Sequence, residues 1–258
     1  FTGNKSESRM LGSNHSISGA NIVLNTAVAE SLRQYADALE KAEDFNETLH
    51  ALIRDTIRSH KRIIFNGNGY DDAWVEEAQR RGLLNLKTTP DCLPYFTSPK
   101  NIALFAAHKV FSETEIRARY DILLDNYSKI INIEAVTMLD MSKKDLLPAY
   151  SAYARCLGET INAKKAALSG VDCTYEEEQL KKISALCGCM YQKAQALEDA
   201  LLHLDQIECD GLARAKYYQQ TVLSAMNELR IAADEMESVA GRSFYPYPNY
   251  GDLLFGVR

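Results

Sequence analysis

The chain has 258 residues, 46% of them hydrophobic, with 35 Asp and Glu against 29 Lys and Arg and a formal net charge of -6. Such a chain is long enough for one large or two small packed cores, and an acidic balance without a basic stripe argues against a nucleic-acid or anionic-membrane surface. No apolar run reaches the roughly eighteen residues of a membrane span and the start has no leader pattern, so neither is expected, and a chain that begins at Phe1 reads as part of a longer one.

The first stretch, Gly3-Asn4-Lys5-Ser6-Glu7-Ser8-Arg9, reads as a strand. A period of two places Lys5, Glu7 and Arg9 on one face and Ser6 and Ser8 on the other. A carboxylate between two cations suits a divalent metal and phosphate, with Glu7 as a hard oxygen ligand and the cations on anionic oxygens. The competing reading is an exposed strand of alternating charge.

A loop over 10–20 leads to a helix near 21–42, with Asn21 as N-cap and Ile22, Leu24, Val28 and Leu32 on its buried side. A second helix, near 46–60, carries Leu49, Leu52, Ile53 and Ile57 at spacings of three and four. Asn66-Gly67-Asn68-Gly69 is a turn. It lacks the Lys-Ser/Thr of a phosphate loop and opens on Asp71-Asp72, so it reads as the cap of a 71–81 helix packed by Trp74. Three prolines between 83 and 99 suggest an extended connection.

From 113 onward the pattern is that of long packed helices. Ile116, Tyr120, Leu123, Tyr127 and Ile130 step by four and three, and so do Ile183, Cys187, Met190, Ala194, Leu197, Leu201 and Leu204, then Ala215 through Val239. Pro148 should kink or restart a helix, Ser169-Gly170 should end one, and Thr174 with Glu177 reads as a capping box. Four antiparallel helices in an up-down bundle are expected. No inward Glu-x-x-His pair supports a di-metal site there, and His203 reads as a boundary histidine. The six cysteines lack paired C-x-x-C spacing and read as free thiols. The aromatic, proline-punctuated tail from Phe244 to Phe255 is too apolar to hang free and should dock.

Several of these stretches, in order, resemble one family. The Gly-Asn-Lys-x-Glu-x-Arg strand, the following Gly12-Ser13 and Ser16-Ile17-Ser18, and the Leu24-Asn25-Thr26 helix are similar to the end of the catalytic domain of type III glutamine synthetases. Asn66-Gly67-Asn68-Gly69-Tyr70, Thr88-Thr89-Pro90-Asp91, Ile131-Asn132-Ile133-Glu134-Ala135 and Tyr247-Pro248-Asn249-Tyr250-Gly251-Asp252 look like the same family's later landmarks. The sequence departs from the pattern at Ser6 and Ser8, where relatives carry Phe, and at Leu11 and Ala20, where Pro is usual.

The resemblance implies a mainly α fold: one N-terminal strand and helices from the end of an α+β catalytic domain over 1–112, an antiparallel helical bundle over 113–243 and a docked tail over 244–258. It implies a cytoplasmic ligase that joins ammonia to glutamate through γ-glutamyl phosphate, using ATP and Mg2+ or Mn2+ in ring oligomers. Lys5 would then contact nucleotide phosphate, Glu7 ligate a metal, and Arg9 hold glutamate or the transferred phosphoryl group. This portion alone should be inactive, because one metal ligand cannot build a multi-metal site. The rival is an autonomous helical oligomerisation or interaction module without catalysis.

Overall fold

A computed structural model of the chain describes residues 16–204 and 210–256. Every regular element among them is helical, which corrects the expected mixture of an N-terminal strand with helices. A strand needs a neighbour to take its backbone hydrogen bonds. No such neighbour occurs among the described residues, whose segments close their hydrogen bonds locally. The expected strand itself, at residues 3–9, lies outside the described residues.

The chain divides into two compact units between Tyr120 and Asp121. The first holds α1 (Ile17–Leu39), α2 (Phe45–Ser59), α3 (Asp72–Arg80), α4 (Thr89–Phe96) and α5 (Pro99–Ala107). Helix α1 starts earlier than expected: Ser16, not Asn21, is its N-cap, accepting from the Ser18 amide. Its expected buried stripe is open. Leu24, Val28 and Leu32 are 43%, 56% and 61% exposed, and Thr26 is the buried residue of α1.

Helix α2 is capped by Asp44, whose carboxylate accepts from the Glu47 amide. The turn after it is held from α3: Arg81 donates to the carbonyls of Arg62 and Ile64, and Phe65 stacks on Trp74 with ring centres 3.9 Å apart. The proline-rich segment is helical where an extended connection was expected. Pro90 and Pro99 fall in the first turns of α4 and α5, where a missing N–H leaves no intrahelical bond unmade. Phe105 is the centre of the small core there, 2% exposed and ringed by Phe96 and Phe111.

In the second unit the backbone stays helical past Pro148. Helix α6 (Glu113–Met141) runs through a widened turn, Ser142–Leu146, into α7 (Leu147–Ala167). The Leu147 N–H reaches back five residues to the Ser142 carbonyl. A proline both lacks a donor and crowds the preceding turn, and a widened turn at that point relieves both conflicts. The expected four rods are therefore three: α6 with α7, then α8 (Thr174–Leu204), then α9 (Gly211–Tyr217) continuing through a second widened turn into α10 (Leu223–Val239).

Ion pairs fix the direction of α8 against α7. Lys164, near the end of α7, meets Glu176 near the start of α8, while Lys143, before α7, meets Glu198 near the end of α8. They run antiparallel. Helix α10 runs antiparallel to α8 in turn: Tyr217 donates to the Ala200 carbonyl, and Val239 packs at Ile183. The Thr174–Glu177 capping box does not form. Asp172 accepts from the Thr174 amide and hydroxyl, and Glu177 is engaged by Lys165.

Ala135, Met190, Ala194, Leu197, Val222 and Met236 meet in one core and are all fully buried. The first expected seam is displaced by one residue, since Leu123 and Ile130 are 43% and 52% exposed while Leu124 and Ile131 are buried. Ile183 joins a smaller cluster with Tyr153 and Leu157. Tyr245 and Tyr247 lie against that core, and α11 (Tyr250–Phe255) ends the described chain with a capping box between Asn249 and Asp252.

Candidate functional site

The residues that sequence reasoning placed in a phosphate and metal site, Lys5, Glu7 and Arg9, lie outside the described residues. Among the described residues no group of three or more His, Cys, Asp or Glu side chains is placed to hold a metal ion. Five cysteines (Cys92, Cys156, Cys173, Cys187 and Cys189) are free, and no described helix is long and apolar enough to cross a membrane.

Beyond the ion pairs between helices, two groupings of titratable side chains bear on a site. In the first unit His108 Nε2 lies 2.7 Å from Glu30 Oε2, joining the end of α5 to α1. Glu30 also accepts from Arg33 and Gln34, and these donors, Arg33 foremost, hold its carboxyl down to about 2. Saturated with donors and with no nucleophile beside it, this cluster is a structural clip.

The second lines a cavity of about 620 Å³ in the second unit, built from the end of α6, the widened turn after it, the first turn of α7, α10 and the tail. The landmark Ile131-Asn132-Ile133-Glu134-Ala135 shows how the chain sets it up. Ile131 and Ala135 face the core, Asn132 accepts from the Tyr218 hydroxyl at 3.1 Å, and Ile133 and Glu134 line the cavity. The tail forms the opposite wall. Tyr247 donates to Asp145 in the widened turn at 2.8 Å, and the Tyr245 hydroxyl bonds Glu237 on α10.

Tyr150, one turn into α7, is fully buried in that wall, and its hydroxyl has no hydrogen-bond partner. Burial, with the negative groups around it, pushes its pKa upward. Burial first and then the bond to Asp145 push Tyr247 up to about 12. Both phenols therefore stay protonated at neutral pH, able to donate. Sequence reasoning missed this cavity. Its signal was a glutamate inside an apolar helical stretch, together with a tyrosine-rich tail that had to dock.

A model of the glutamine synthetase C-terminal domain matches residues 48–165. The chain is 42% identical over 216 residues to a glutamine synthetase of Butyrivibrio fibrisolvens, a match covering 84% of this chain and 31% of that protein. It is 33% identical to the type-3 glutamine synthetase of Dictyostelium discoideum over 99% of this chain and 36% of that protein. A glutamine synthetase of Bacteroides fragilis (strain YCH46) is 27% identical over the same shares. The chain thus spans about a third of the length of the curated relatives it matches. It belongs to the glutamine synthetase family and carries that family's C-terminal domain.

Proposed function

We propose that the chain is the C-terminal part of a glutamate–ammonia ligase of the type III kind, which forms glutamine from glutamate and ammonia with ATP by way of γ-glutamyl phosphate. The observation that carries this reading is the 42% identity over 216 residues to a protein named glutamine synthetase. Residues 1–112 are assigned to the end of the catalytic domain, 113–243 to the helical part and 244–258 to the tail. The open stripe of α1, Leu24, Val28 and Leu32, supports the first assignment: apolar residues at helical spacing are what a helix presents to a larger core.

Lys5 holds nucleotide phosphate and Arg9 holds the glutamate carboxylate or the transferred phosphoryl group, each by charge-assisted hydrogen bonds. Glu7 is a hard oxygen ligand for Mg2+ or Mn2+, and the chemistry supplied by such a bound ion is neutralisation of charge on phosphoryl oxygens. By the family resemblance the remaining ligands come from outside this portion, which is inactive alone. The parent is assigned to the cytoplasm and to ring oligomers.

The test is γ-glutamyl transferase activity of the full-length parent, wild type against Glu7→Ala, with thermal melting and assembly state followed in parallel. Loss of activity with folding and assembly unchanged is the expected result. Retained activity would make the opening stretch structural.

A further inference from the structure

The residues that line the cavity described above are none of those assigned to the ligase chemistry. Its floor is apolar and soft, with Met138, Leu146, Met226 and Leu229 lining it. Including Met141, it takes three of the chain's six methionines. Methionine fills irregular space and makes favourable sulfur–aromatic contacts. The mouth is acidic: Glu134, Asp234 and Glu237 line it with one guanidinium, Arg230, whose Nε already donates to Asp234 at 2.6 Å. The volume, about 620 Å³, is that of a small-molecule site.

The second and independent observation is Tyr150. Its side chain lines the cavity with no exposed surface, and its hydroxyl lacks a partner. The neighbouring phenols are engaged, Tyr247 by Asp145 and Tyr245 by Glu237. Glu237 lines the same cavity as Tyr150. A buried hydroxyl left unpaired is costly, and a ligand donor or acceptor placed there removes the cost.

We propose that this cavity binds a small organic amine, its ammonium group between the Tyr150 hydroxyl oxygen and the Glu237 carboxylate and its apolar body on the methionine and leucine floor. The sign of the charge follows from the rim. An anion would face three carboxylates and one guanidinium that is already paired, whereas a cation meets those carboxylates and the unpartnered Tyr150 hydroxyl oxygen against that single paired guanidinium. An apolar body is required because water alone would leave the floor uncovered.

The test is calorimetric titration of the full-length parent at neutral pH with three probes that share one body: 4-phenylbutylamine, 4-phenylbutan-1-ol and 4-phenylbutyrate. The amine is expected to bind saturably and at least about tenfold tighter than the alcohol or the acid, the size of one good charged contact. Glu237→Gln should bring the amine down to the alcohol, while Glu235→Gln, outside the lining, should leave it unchanged. Tyr150→Phe should weaken the amine more than the alcohol, and Ala233→Phe should block all three. Circular dichroism melts identify any variant that fails to fold, and the paired Glu237 and Glu235 variants decide the matter without the space-filling one. Equal binding of acid and amine, equal loss in both glutamine variants, or no saturable amine binding would each overturn the proposal.

Discussion

Replacing Tyr150 by Phe removes one oxygen atom from the wall between the core and the cavity and leaves the ring where it is. In most buried tyrosines that substitution costs stability, because a net hydrogen bond worth about 0.5–1.5 kcal/mol is lost. Here the hydroxyl has no partner and the residue has no exposed surface, so the folded state already bears a desolvation cost of about 1–3 kcal/mol for it. Tyr150→Phe should therefore raise stability by about 1–2 kcal/mol, or about 2–4 °C in Tm per kcal/mol for a chain of this size. Tyr153 supplies the opposite sign on the same helix. Its hydroxyl is hydrogen-bonded to Tyr175, and Tyr153→Phe should lose the ordinary 0.5–1.5 kcal/mol or so. Urea titration followed by far-UV circular dichroism reads both, with the slope unchanged so that midpoint shifts report stability alone. A Tyr150→Phe chain less stable than wild type by about 1 kcal/mol or more would show that the hydroxyl is bonded, and the account of the cavity wall would fall with it.

Two further expectations rest on other parts of the fold. Leu197 is fully buried on α8 in the main core, and Leu197→Ala should cost about 2–5 kcal/mol through the lost side chain and the void left behind, read by the same titration. Glu30, held at about 2 chiefly by Arg33, has a folded pKa below its unfolded one near 4.5. Its contribution is then complete above that value and is lost as pH falls toward 2. Glu30→Gln should flatten acid unfolding of the first unit between those limits. An unchanged acid limb would remove the role assigned to the clip.

The long helices were legible because their packing is written in one period. Ile183, Met190, Ala194, Leu197 and Leu204 step by three, four and seven and are all buried. The number of rods was not legible, because Pro148 reads as a break and nothing in the sequence says that the preceding turn widens to accept it. Prolines misled again at α4 and α5: Pro90 and Pro99 suggest an extended chain, and only their place in a first turn reconciles them with helix. The α1 stripe was read correctly as apolar and wrongly as buried, since periodicity says which side wants a partner and not whether this chain supplies it. The cavity escaped for a different reason. Its walls come from 133–150, 226–237 and 245–247, and no local pattern joins segments so far apart.

The tail links that cavity to pH. Tyr245 and Tyr247 close one wall, and the polar tie from Tyr247 to the α6–α7 turn is its hydroxyl on Asp145. A phenol that donates to a carboxylate must keep its proton, since a phenolate beside Asp145 would set two negative charges against each other. The folded pKa, pushed up to about 12 by burial and then by that bond, stands above the unfolded value of 10. The tie is therefore intact below pH 10 and is lost as pH rises through 12. Tail docking should fail in that window while the three rods, packed by apolar seams, stay helical. Hydrogen exchange cannot follow this at high pH, but limited proteolysis after the residues of α10 can, using an alkaline-active protease. Tyr247→Phe should release the tail partly at neutral pH and remove the alkaline step, because the hydroxyl that titrates is gone. An alkaline step that survives in Tyr247→Phe would assign the titration to another group and leave the tail held by apolar contact alone.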